Sequence, residues 1–140
     1  MRVVLDTNVL LTALMSPSST SAQILTLWRD RKIAVVTAAE QIEEIVRVTC
    51  YPKIRARLLP ALAGRLVNRL RDVAIVVENL PTLDLSPDPD DNYLLALAEV
   101  GQAQLLVTGD KPLLRLKRHK STLIVTPAVL IELLEGQGDK

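Results

Sequence analysis

Five short runs of β-branched and aliphatic residues, none with a charge in its interior, constrain this chain more than any other feature. They are VVLD at residues 3–6, IAVVT at 33–37, AIVV at 74–77, QLLVT at 104–108 and TLIVT at 122–126. Strands that face water on one side alternate apolar and polar residues, whereas these are continuously apolar, the pattern of strands covered on both faces in a parallel sheet. Between and after them lie segments of helical periodicity: SAQILTLWRDR, AEQIEEIVRV, PALAGRLVNRLRD, DDNYLLALAEVG and PAVLIELLEG. Alternation of this kind predicts an α/β fold, a doubly wound sheet of about five parallel strands with helices on both faces. Pro52 and Pro60 interrupt the long middle helical region and predict an inserted helical pair before the third strand. With 140 residues and no linker or repeat, the chain reads as one domain over 1–140, with GQGDK at 136–140 as a flexible tail.

Composition excludes several kinds of chemistry. Apolar residues make up 49% of the chain and aromatics only 2%, so the core is aliphatic and a base-stacking platform of aromatic rings is not expected. Trp28, three and four residues from Leu25 and Ile24, reads as core. The single cysteine, Cys50, and single histidine, His119, cannot make an internal disulfide or a four-ligand zinc site. Cys50 reads as a small buried apolar residue, and His119, inside LKRHK, as an exposed one. No Ser/His/Asp or Cys/His set can be assembled around that histidine, and the glycines form no phosphate-binding loop. The apolar N-terminus is broken by Asp6 and Asn8, which argues against a signal peptide, and no run reaches the roughly 18 residues of a membrane span. A cytoplasmic protein with no membrane association is expected.

Net charge is +1, but its distribution is uneven. Lys53, Arg55, Arg57, Arg65, Arg69 and Arg71 crowd one segment, and Lys111, Arg115, Lys117, Arg118 and Lys120 another. Between them Glu78, Asp84, Asp88, Asp90 and Asp91 stand without a basic neighbour. Acidic residues flanked by basic segments suit a phosphate backbone held around a metal ion.

In doubly wound sheets, ligands bind at the carboxyl ends of the strands. The first run ends in Asp6 and Asn8, the fourth in Thr108 and Asp110. The segment Asp88-Pro89-Asp90-Asp91 starts a helix, with Asp88 suited to the cap and Pro89 to the first turn. Asp91, however, falls in phase with Leu94, Leu95 and Ala98, the stripe that packs on the sheet. A carboxylate turned inward needs a hydrogen bond, a proton or a cation. With only oxygen ligands at hand, the matching cation is a hard one, Mg²⁺ or Mn²⁺.

The motifs VVLDTN, EEIVRVTCYPK, DPDDNYLLALAEVGQAQLLVTGDKPLL and TLIVTPAVLIELL, in that order, resemble the PIN-domain nucleases, and within them the toxin components of toxin–antitoxin systems. The likeness covers residues 2–135. It implies a Rossmann-like three-layer sandwich and a Mg²⁺- or Mn²⁺-dependent ribonuclease whose catalytic and metal-holding residues match Asp6, Glu44, Asp91 and Asp110. Asn8, Thr108 and Asp88 would support them. Glu44 enters only by its place in the family pattern, since periodicity does not separate it from Glu40 and Glu43. The likeness further implies hydrolysis to 5′-phosphate and 3′-hydroxyl ends, a small antitoxin partner and a homodimer. Lys53, Arg55, Lys111, Lys117 and Arg118 are candidates for holding the RNA backbone. Two rival readings compete with this one: a PIN-like module that binds RNA or protein without cutting, and a Mg²⁺-dependent receiver-type phosphoryl-transfer protein. The second would want paired acids after the first strand and an aspartate after the third, and neither is present.

Overall fold

The computed structural model of the chain describes residues 1–85 and 88–138. In chain order the elements are β1 (Arg2–Leu5), α1 (Thr7–Met15), α2 (Thr20–Arg29), β2 (Ala34–Ala38), α3 (Ala39–Val48), α4 (Pro52–Arg55), α5 (Pro60–Asp72), β3 (Ile75–Val77), α6 (Pro89–Val100), β4 (Leu105–Val107), α7 (Lys111–Leu116), β5 (Arg118–His119), β6 (Thr122–Val125) and α8 (Pro127–Gly138). The sheet order is β3-β2-β1-β4-β6-β5. Five of these strands run parallel, and β5 pairs antiparallel with β6. The chain therefore winds outward from β1 through β2 to β3, then crosses to the other side of β1 to lay down β4.

Side chains of a strand point alternately to its two faces, and the core divides accordingly. Val3 and Leu5 of β1 join Val35, Leu105 and Val107 in a cluster with Leu10, Ile24, Trp28, Ile45, Leu70 and Leu130, which belong to α1, α2, α3, α5 and α8. Val4 joins Val36, Leu106 and Ile124 in a second cluster, with Leu94, Leu95, Leu97 and Ala98 of α6 and Leu113 of α7. The expected three-layer α/β sandwich is what forms, and Trp28 is core as its spacing predicts.

Several local expectations are corrected. The sheet has a sixth strand, the two-residue β5, too short to leave a periodic signal. Helix α1 follows β1 directly: Asp6, where the first apolar run ends, also starts this helix, its carboxylate accepting a hydrogen bond from the Asn8 N–H at 3.3 Å. Helix α7, at six residues, also falls below what periodicity can reveal. Pro52 and Pro60 do begin two separate helices, each with proline in its first turn. Cys50 is exposed rather than buried. His119 is not a free surface residue: its ring nitrogen lies 3.0 Å from Glu99, which also pairs with Lys120, so the β5–β6 hairpin is tied to the end of α6. These two contacts hold the Glu99 carboxyl below its usual range, Lys120 contributing most. Helix α8 runs through Gly138, into the segment read as a tail, and residues 139 and 140 lie outside the described residues, as do 86 and 87.

Where α6 ends, its last turn closes on β2 with no space for a side chain. A methyl group on Gly101 would stand 2.5 Å from Val36 Cγ1 and 2.9 Å from the Leu97 carbonyl oxygen. Gly101→Ala is expected to lower unfolding free energy by roughly 1–3 kcal/mol, read from urea denaturation. A midpoint equal to the parent's would show that this helix end can shift at no cost.

Candidate active site at the sheet switch

Because the chain changes direction between β1 and β4, those adjacent parallel strands open a crevice at their carboxyl ends. Their ends are joined directly: the Asp6 N–H donates to the Val107 carbonyl at 2.9 Å. Asp6 and Thr108 thus emerge side by side, both buried. The Thr108 hydroxyl donates to Asp6 Oδ2 at 2.7 Å and accepts from the Asp110 N–H at 3.0 Å. Asp110 in turn caps α7, accepting from the Leu113 N–H at 3.2 Å. One hydroxyl, fixed by burial, sets the orientation of the first carboxylate and the path of the chain that carries the second.

The other two carboxylates arrive on helices. Asp91 is buried near the start of α6, as its phase predicts. Glu44 lies on α3, and the structure separates it from its neighbours: Glu44 is half-buried, while Glu40 and Glu43 are exposed. Its carboxylate accepts from the Tyr93 hydroxyl at 3.0 Å, and that hydroxyl lies 3.4 Å from Thr7 Oγ1. Burial drives the Tyr93 phenol far above its ordinary range, with the charges of Glu44 and Asp6 adding to the effect, so it stays a proton donor. Tyr93 is the positioning residue that sequence reading missed. It sits outside the apolar stripe of α6, and nothing in the pattern marks it.

Asp6, Asn8, Glu44, Asp88, Asp91 and Asp110 all line one cavity of about 220 Å³, with Thr7 and Tyr93 in its wall. The structure therefore brings together all four acids named from the sequence, with Asn8 and Asp88. Thr108 acts from behind Asp6. Asp88 also contributes its carbonyl oxygen to the first turn of α6, accepting from the Asp91 N–H at 3.1 Å. Among the described residues, no three acidic, imidazole or thiol side chains stand close enough together to grip one bare ion. Carboxylates spread around a cavity instead suit a hydrated hard cation, which keeps several waters and takes only one or two carboxylates along with substrate phosphate. The donor set fits such an ion. Of the basic candidates, Lys53, Arg55, Lys111, Lys117 and Arg118 are exposed and none lines this cavity, although Lys111 follows Asp110 directly at the start of α7.

Residues 2–112 match the PIN domain. The chain belongs to the PIN domain family, whose members are in general nucleases that use divalent metal ions. The chain is also 28% identical, over 148 residues, to an uncharacterized protein of Methanocaldococcus jannaschii, a match covering 96% of this chain and 92% of that protein. Membership of this family removes the receiver-type reading. No described helix is long and apolar enough to cross a membrane.

Burial raises the Asp6 carboxyl pKa, and the charges of Glu44 and Asp110 raise it further; the hydrogen bonds from Thr108 and Asn8 oppose the shift. A carboxyl raised in the folded state stabilises the fold when protonated, and that contribution is lost as pH rises from the ordinary carboxylate range through the raised value. Above that window the ionised Asp6 is a cost. Asp6→Asn keeps one oxygen to accept from the Asn8 N–H, turns an NH2 toward the Thr108 hydroxyl oxygen and removes the charge. In EDTA at neutral pH it is expected to melt at a higher temperature than the parent, with the gap closing as the pH falls through the window. A lower melting temperature at neutral pH would contradict this account.

Proposed function

We propose that the protein is a Mg²⁺- or Mn²⁺-dependent ribonuclease that hydrolyses RNA phosphodiester bonds, and that it serves as the toxin of a toxin–antitoxin pair. The observation that carries the nuclease reading is the meeting of Asp6, Glu44, Asp91 and Asp110 at one cavity on the sheet switch. Such a concentration of carboxylates disfavours an unaccompanied phosphate, so a cation has to come between. Asp6, Glu44, Asp91 and Asp110 would hold the hydrated ion, one or two of them directly and the others through its waters, and the ion when bound would neutralise phosphate charge and make water a competent nucleophile near neutral pH. The rest of the work falls to the chain's own groups. Thr108 keeps Asp6 in one rotamer, the Tyr93 hydroxyl keeps Glu44 turned into the cavity, and both replace solvent as hydrogen-bond partners so that little reorganisation is needed when substrate arrives. Asp88, at the rim, completes the acidic wall. Exposed Lys111, beside Asp110, is placed to attract the RNA backbone without reading sequence. Attack by water leaves the 2′-hydroxyl out of the chemistry, so the products carry 5′-phosphate and 3′-hydroxyl ends.

The toxin reading rests on the likeness of the LDTN and DPDD-to-TGDKPLL motifs to that branch of the family. A small antitoxin would cover the carboxylate cavity until it is released. A homodimer of the chain is part of the same proposal, and so is a cytoplasmic setting.

Incubation of an RNA pool with purified protein is expected to give cutting with Mg²⁺ or Mn²⁺ and none with EDTA. Asp6→Asn and Asp91→Asn should abolish it, and Thr108→Val should slow it about 10- to 100-fold. Cutting by the aspartate variants equal to the parent's, or products ending in 2′,3′-cyclic phosphate, would refute the assignment. Induced in a bacterial host, the parent chain is expected to arrest growth and Asp6→Asn to leave it unaffected; unaffected growth in both would remove the toxin reading and leave the nuclease reading to the cleavage assay.

A further inference from the structure

The basic segment at 53–71 divides once folded. Arg69 lies over Trp28, its guanidinium carbon 4.5 Å from the ring centroid, and is taken up by that contact. Arg55 of α4 and Arg71 of α5, sixteen positions apart, instead line a second, open cavity of about 350 Å³ between α3, α4 and α5. Both are exposed, and neither takes part in an ion pair among the described residues. The floor is apolar, from Leu58 and Val67, and Asn68 supplies a side-chain amide to the wall. Gly64 lies in the same lining, and a Cβ added there meets nothing within 4 Å, so a side chain at this position has open space to enter.

An apolar floor, one amide and two unneutralised guanidinium groups form a particular combination. Fully paired, stacked bases cannot enter such a recess, but an unstacked base can, with its face on apolar or guanidinium planes, its edge at the amide and its phosphates on the arginines. The location matters as much as the chemistry. Helix α3 forms a wall of both cavities, giving Glu44 and Val48 to the carboxylate cavity and Val46 to the second, which Thr49 and Cys50 also line just past the helix end. A strand that crosses the end of α3 can thus occupy the two together.

We propose that the α3–α4–α5 cavity is a nucleotide subsite for single-stranded RNA, taking one unstacked base with Arg55 and Arg71 on its flanking phosphates. The choice of ligand rests on the ribonuclease reading. The subsite selects single strands over duplex, and the strand passes from it over α3 to the carboxylates.

Fluorescence anisotropy of a labelled single-stranded oligoribonucleotide, and of a blunt duplex of the same sequence, tests this on the full chain in EDTA. Gly64→Leu puts a side chain into the lining of the cavity, keeps every charge and favours the helix. It is expected to weaken single-strand binding roughly 5- to 100-fold, the effect of losing one seated base, and to leave duplex binding unchanged. Arg55→Gln and Arg71→Gln should each weaken single-strand binding and lower the log–log salt slope by about 0.7. Parent-like single-strand binding by Gly64→Leu, with its melting temperature retained, would overturn the proposal, as would equal weakening toward duplex. So would arginine variants that change the sedimentation of the protein and not its RNA affinity, since the cavity would then be a contact between copies. Metal-dependent cleavage is scored separately. If it fails while the binding pattern holds, the nuclease reading falls and the subsite stands; if it succeeds while all three variants bind like the parent, the subsite alone falls.

Discussion

The short hydrogen bond from Thr108 to Asp6 depends on the pairing of β1 with β4, and the rest of the site depends on it. Two parallel strands that are distant in sequence end at the same level, because Leu5 is in register with Val107 and the Asp6 N–H continues the ladder onto the Val107 carbonyl. A hydroxyl on the residue after β4 is then within reach of a carboxylate on the residue after β1. Thr108 is buried, so its hydroxyl needs partners, and it finds an acceptor in Asp6 and a donor in the Asp110 backbone. The path of the chain into α7 and the orientation of the first carboxylate are fixed by the same atom.

A second buried polar network does comparable work one strand over. Thr37 at the end of β2 donates to Gln41 Oε1 at 2.7 Å, and Gln41 Nε2 donates to the Leu5 carbonyl at 2.6 Å. Gln41 has no exposed surface, so it links α3 to the end of β1 inside the core. This pins α3, and therefore Glu44 one turn further along, to the strand that carries Asp6. Tyr93 supplies the matching tie from α6. All four acidic residues are thus held by elements whose positions are determined by buried hydrogen bonds, which is the preorganisation a charged site requires.

What the sequence shows and what it conceals follow the same division. Asp6, Thr108 and Asp110 are legible because a parallel sheet reads as continuous apolar runs, and whatever polar residue ends such a run lies at the ligand-binding edge. Asp91 is legible because helical phase turns it inward. Glu44 is not, since α3 carries three glutamates within five positions and their selection depends on Tyr93, a contact across 49 positions of chain. Gln41 and Tyr93 are hidden for the same reason: each acts through a partner that only the folded chain provides. The burial expected of a lone cysteine fails at Cys50, and the exposure expected from the basic run LKRHK fails at His119. The break at Pro52 leaves Cys50 in an exposed turn, and the β5 turn carries His119 back against Glu99.

The arrangement of charge has a thermodynamic consequence. Asp6 is buried beside other carboxylates, and burial alone raises its pKa, so at neutral pH the metal-free site works against the fold. The large aliphatic core that encloses it on both faces of the sheet makes this tolerable, and the two hydrogen bonds to Asp6 limit the cost without removing it. A cation held in the cavity would relieve the repulsion, so its binding and the stability of the fold would be coupled: an ion that binds only the folded state raises its stability with concentration. That repulsion would therefore be a source of the site's affinity for the ion. Weakening it by substitution would yield a more stable protein and a poorer cation site, the trade expected where carboxylates are gathered for chemistry rather than for structure.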